Sequence, residues 1–186
     1  TMYFDGMIDE NLIFEINNYA EIPISTLHLN SPGGKLSDAI EVAEFIRAHN
    51  ITTVVRSGAV CKSACTLLFQ AGINRLASRN SLFMIHGVRD PFLPENRRNE
   101  LRDCWLTPTE ECMAEIETRR SELIDLTEQL FELYEAYGAS PRLGQVYWNL
   151  DEVEPWWESG NYIRIRDWNL NAHSAFKFGM ATQLIE

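Results

Sequence analysis

The sequence predicts an α/β fold built from repeated β-α-β units. Three observations carry that expectation. Short apolar runs at Leu27–Leu29, Thr52–Val55 and Leu82–Ile85 each end at a polar or glycine-bearing stretch. Amphipathic segments long enough for helices lie between them. After the third run comes one long helical pattern, from Thr107 to Tyr137. Parallel strands joined by helices bring all their carboxyl ends to one side, and open sheets carry their chemistry there.

The elements follow in order. Residues 2–8 read as a strand and turn, and Asp9 to Tyr19 as a helix with Leu12, Ile13, Ile16 and Tyr19 on one face. Pro23 forces its predecessor into extended geometry and ends that helix. The strand at Leu27–Leu29 then runs into Asn30-Ser31-Pro32-Gly33-Gly34, where the glycines allow a turn with outward-facing amides. Ser37 or Asp38 opens the next helix. The strand at Thr52–Val55 leads to Ser63 at the mouth of an apolar helix, and Asn74 to Asn80 reads as a connecting turn. Leu82–Ile85 delivers His86 and Gly87.

Beyond His86 the pattern breaks into a surface loop, 88–106, rich in arginine, acid and proline. Thr107-Pro108-Thr109-Glu110 reads as a helix start, with Thr107 as cap. The helix, 107–137, has more apolar positions than one stripe needs, so it packs on several surfaces, within the chain or against a partner. Residues 139–169 are aromatic-rich and lie along a groove, an interface or a local minicore; Tyr162 to Ile165 could add a strand. Asn171 or Ser174 begins a last helix, and Gln183 to Ile185 a last strand.

Composition narrows the class. The 186 residues suffice for one sizeable core, so a single domain, 1–186, is expected, with 88–106 and 107–137 as its insertion. A net charge of −11 argues against nucleic acid and against anionic lipid as partners. No apolar run approaches the roughly 20 residues that span a bilayer. Thr1 opens directly on a strand-like segment, as a processed form would, so the lack of a leader says little about targeting. Cys61, Cys65, Cys104 and Cys112 allow three pairings. Buried thiols and disulfides of an oxidising compartment both remain open, and a bridge between Cys61 and Cys65 requires one of them to leave regular helix. No second Cys/His cluster stands at zinc-ligand spacing, so no metal is expected. No phosphate-binding G-x-x-x-x-G-K-[ST] loop is present, and no cofactor is expected.

Four segments together resemble the Clp protease proteolytic subunit, ClpP, and envelope ClpP-like serine peptidases of the ClpP/crotonase superfamily. They are Ser31-Pro32-Gly33-Gly34, Ser63 with Ala71-Gly72 after it, Met84-Ile85-His86, and Leu170 to Met180. The resemblance runs from Tyr3 to Thr182. It implies a repeated β-α-β spiral with the 107–137 helix as a handle that pairs subunits, hence a homo-oligomer acting on peptides or unfolded proteins. It implies Ser63 as nucleophile, His86 as general base, and an oxyanion hole from the Gly33-Gly34 turn and the Ala64 amide. A hydroxyl is a weak nucleophile until a base takes its proton, and preorganised amides stabilise the charge that follows.

The third catalytic member is open. Alignment on the last segment puts Ile163 or Tyr162 where the family has an aspartate, and neither can orient an imidazole. Asn149, Asp151 and Asp167 are the candidates, or the site works as a dyad. The serine segment is also one residue longer after Gly58 than in ClpP-type proteins. Two other functions compete: a catalytically weak or inactive peptide-binding or assembly module, and a crotonase-like thioester enzyme. The second would need a basic grip for a nucleotide tail, and none is evident. Envelope or periplasm is the suggested location, with cytoplasm as the alternative.

Overall fold

The structure is a computed structural model that describes residues 1–18, 23–88, 103–104, 106–149 and 167–186. Strands β1 (Met2–Ile8), β2 (Thr26–Gly34), β3 (Thr52–Val55), β4 (Val60–Lys62), β5 (Arg75–Ser78), β6 (Leu82–Ile85), β7 (Trp168–Asn171) and β8 (Gln183–Ile185) form one sheet. Helices α1 (Glu10–Asn18), α2 (Leu36–Ala48), α3 (Ala64–Ala71), α4 (Glu110–Ala136), α5 (Arg142–Asn149) and α6 (Ala172–Lys177) accompany it. The strand order is β7-β6-β4-β2-β3-β5-β8, with β1 added beside β2. Every pairing is parallel except β6 with β7. The expected α/β class is what forms.

Strand β2 is where the sheet divides. Its first half pairs with β3 (Thr26 with Thr52, His28 with Val54), and Ser31 pairs with Cys61 of β4. Asn30 stitches the branch: its side chain donates to Asp5 of β1 (3.0 Å) and accepts the Val60 amide (2.9 Å). Three neighbouring strands, β2, β4 and β6, therefore end side by side.

Helix α3 fills the centre. All eight of its residues are buried, and burying each large one contributes about 1.5–3 kcal/mol relative to exposure. Leu67, Leu68 and Phe69 meet Leu27, Leu29, Val55, Phe83 and Ile85 in the same core. Its C-terminal end is tied by Thr53, whose hydroxyl donates to the Phe69 carbonyl at 2.7 Å. Buried Arg75 then gathers three elements, donating to carbonyls of Gly72, Tyr137, Gly179 and Met180 at 2.6–3.1 Å.

Several boundaries differ from the sequence reading. The Ser31-Pro32-Gly33-Gly34 segment is the end of β2, not a turn beyond it: Met7 pairs with Gly33 and Ile8 with Gly34. Residues 75–78 are a strand between β3 and β8, not a connecting turn; pairing on both edges overrides a run whose two arginines suggested a surface. Helix α2 starts at Leu36, one residue before Ser37, with no side-chain cap. The long helix starts at Glu110 and is capped by Thr109, which accepts the Cys112 amide at 3.3 Å. Thr107 instead bonds back to the Asp103 carbonyl. Asn171 caps α6, one of the two expected starts. The cysteines are paired, Cys61 with Cys65 and Cys104 with Cys112, so the free-thiol alternative is set aside. Tyr19, residues 89–102, Asp151, Trp156, Trp157 and the strand expected at Tyr162–Ile165 lie outside the described residues.

Candidate active site

Ser63 sits between β4 and α3 with φ 55° and ψ −130°. A non-glycine residue in that region carries strain of about 1–3 kcal/mol and persists only where its surroundings fix it. Here they do. The Ser63 amide donates to Met84 O of β6 at 2.8 Å. The Ser63 carbonyl accepts both the Thr66 amide (2.9 Å) and the Thr66 hydroxyl (2.6 Å). The Cys61–Cys65 disulfide joins β4 to α3 across the turn, with the two Cα atoms 5.2 Å apart. The bridge forms because Cys61 lies in a strand and only Cys65 in the helix.

Gly33 lies directly against this turn. A Cβ built on it would fall 2.6 Å from the Ser63 Cβ, 2.7 Å from the Lys62 carbonyl and 3.2 Å from the Ala64 amide nitrogen. Gly34 has the same constraint on its other side, where a Cβ would run into the Ile8 carbonyl. The Gly33 amide already donates to the Ser31 hydroxyl at 3.0 Å. What Gly33 supplies is room for the close approach of two backbones.

His86 follows β6 directly and is half-buried. Its Nδ1 lies 2.6 Å from the Gly87 carbonyl oxygen. A carbonyl only accepts, so this contact places the proton on Nδ1 and leaves Nε2 as the acceptor in a neutral ring. The Gly87 peptide is itself held: its amide donates to the Tyr147 hydroxyl at 2.6 Å, and the Val88 amide to the Thr127 hydroxyl at 2.9 Å. Helices α4 and α5 thus fix the backbone beside the histidine.

The orienting candidates are placed unequally. In the β6–β7 ladder Met84 pairs with Asn169 and Ile85 with Trp168. The ladder ends there, and His86 and Asp167 are the residues next to its last pair on the two strands. Asn149 is the last residue of α5, two positions beyond Tyr147. Asp151 lies outside the described residues.

Sequence reasoning missed Thr66, Tyr134, Tyr147 and Thr127. Buried Tyr134 of α4 lies 2.6 Å, hydroxyl to hydroxyl, from Thr66. Burial pushes the Tyr134 hydroxyl well above its ordinary range, so it stays protonated. The signal for Thr66 was its place three residues after Ser63, where helix starts carry side chains that bond back toward the cap. Nothing local marked the tyrosines. Among the described residues no cluster of His, Cys, Asp and Glu could hold a metal ion, and no helix is long and apolar enough to cross a membrane.

Fold and site together define an α/β protein with a serine on a strained strand-to-helix turn and a histidine on the neighbouring strand end. Comparison with known proteins points the same way. Residues 8–91 match the Clp protease family model, a stretch that holds the glycine pair, Ser63 and His86. The fold resembles that of a point mutant of ClpP1 from Listeria monocytogenes, with a TM-score of 0.66 and 19% identity, covering 100% of this chain and 90% of that one. No curated protein matches the sequence. Over residues 8–91 the chain is similar to the Clp proteases, and its fold is ClpP-like.

Proposed function

We propose that the chain is a serine peptidase in which Ser63 attacks the scissile carbonyl and His86 Nε2 takes its proton. The observation that carries this reading is the Ser63 turn. Its strained backbone is hydrogen-bonded to the strand that leads to His86, and it lies under the Gly33 backbone. Strain of this kind collects at functional sites, and a nucleophile on a sharp strand-to-helix turn is exposed to substrate. The Ala64 amide, first in α3, and the Gly34 amide are the proposed oxyanion donors; each such donor is worth about 3 kcal/mol. Gly33, whose amide serves Ser31, keeps the two within reach of each other.

The Gly87 carbonyl fixes the tautomer of His86, and Asp167, which like His86 adjoins the last pair of the β6–β7 ladder, supplies the charge that stabilises the imidazolium. Asn149 is the second candidate, at the end of α5. Peptide or unfolded protein is the substrate class, since a related Clp protease chemistry and the sheet edges suit extended chains. Assembly through α4 belongs to the proposal, because its buried residues, Thr127, Leu130, Phe131 and Tyr134, all lie in its second half. Two disulfides suit an oxidising compartment such as the bacterial envelope.

A fluorophosphonate probe tests the reading. Labelling mapped to Ser63 and abolished by S63A and H86A supports it. An unlabelled wild-type chain that still binds peptide would favour the assembly or peptide-binding module instead.

A further inference from the structure

The geometry around Ser63 contains two braces that neither the serine nor the histidine motif calls for. The first is covalent. Cys61, the middle residue of β4, and Cys65, the second of α3, are both fully buried and joined to each other. The three residues they enclose, Lys62, Ser63 and Ala64, have Ser63 at their centre.

The second brace is a hydroxyl chain. Thr66 Oγ1 has one proton and donates it to the Ser63 carbonyl at 2.6 Å. Its 2.6 Å contact with Tyr134 must then be one it accepts, so the Tyr134 hydroxyl is the donor. The order Tyr134, Thr66, Ser63 is fixed by counting protons. It ties the nucleophile's own peptide to the long helix, which separately holds Val88, two residues from His86, through Thr127.

We propose that the Cys61–Cys65 disulfide and Thr66 are positioning groups for Ser63, holding its backbone in the positive-φ conformation that aims the hydroxyl at substrate. The inference rests on Ser63 being the nucleophile. Neither group touches a reacting atom; each acts on the peptide that carries one. With either brace removed, the turn relaxes toward ordinary backbone angles. Misplacement of a reacting group by about 1 Å can cost roughly a hundredfold in rate, and partial relaxation is expected to cost about tenfold.

The test follows fluorophosphonate labelling of Ser63 as a function of probe concentration, separating the limiting rate from half-saturation. Three variants of the whole chain are compared with wild type: T66V, T66S and C61A/C65A. Thermal melts establish that each is folded. The expected result is a limiting rate about tenfold or more lower in T66V and C61A/C65A, at unchanged half-saturation, with T66S near wild type because it keeps the hydroxyl. A wild-type limiting rate in either folded variant overturns the inference, as does a loss in T66S equal to that in T66V. If C61A/C65A does not fold, T66V, close to isosteric with threonine, decides alone. A wild-type chain that fails to label at Ser63 removes the nucleophile and this inference with it; a labelled wild type with undiminished variants removes only the inference.

Discussion

Replacing Gly33 by alanine probes the central contact of the site. The new methyl would lie 2.6 Å from the Ser63 Cβ and 2.7 Å from the Lys62 carbonyl. Unbonded carbon atoms prefer about 3.5–4.0 Å, so the two backbones must part by about 1 Å. Ser63 cannot yield alone, because its amide is held by Met84 and its carbonyl by Thr66. Gly33 also has φ 104°, a region that strains an L side chain. Overpacking costs about 1–3 kcal/mol and the backbone strain about 1–3 kcal/mol. The sum corresponds to a melting point lowered by roughly 5–20 °C for a chain of this size. Labelling of Ser63 should fall by roughly a hundredfold for a displacement of that length. The assay is probe labelling well below the variant's own midpoint, with a thermal melt alongside. A folded G33A that labels within about threefold of wild type would refute the reasoning, since the expected 1 Å displacement costs far more.

Further expectations concern the surroundings. Y147F removes the acceptor of the Gly87 amide; stability should drop by about 1–3 kcal/mol, and the labelling rate should fall as the His86 peptide loosens. Denaturant unfolding and probe kinetics check both. R75M removes a donor from four carbonyls, of which that of Tyr137 keeps Gln70, and a loss of about 3 kcal/mol is expected by urea titration. His28 contributes a pH dependence. Burial, then the Arg56 charge, holds its pKa below the ordinary 6.5, and its Nδ1 accepts from Arg56 Nε at 2.9 Å. The folded state thus binds fewer protons than the unfolded one between the folded pKa and 6.5. That stability is fully present above about pH 6.5 and is lost as pH falls through the folded value. Melting points across acidic pH should show this slope in wild type and a shallower one in H28Q.

Much of the fold was legible because its signals are local. Apolar runs ending in glycine, serine or histidine identified β2, β3 and β6, and helical periodicity identified the long helix to within a few residues. The closing strand at Gln183–Ile185 was found the same way. The four motif segments also carried the order of the site residues along the chain. What local pattern could not give was partnership. Residues 75–78 became a strand because β3 and β8 flank them, and the glycine segment became the end of β2 because β1 pairs with it. Neither neighbour is near in sequence.

The site divides on the same line. Residue types and spacing marked a serine at a helix mouth, a histidine at a strand end and a glycine pair, because each motif needs only its own few residues. Tertiary structure decided the rest. It placed β4 between β2 and β6, joined Cys61 to Cys65 through a turn no helix permits, and brought Tyr134 and Tyr147 back to residues more than fifty positions away. Hydrogen bonds and packing act through space, so groups that orient a side chain need leave no mark beside it in the sequence.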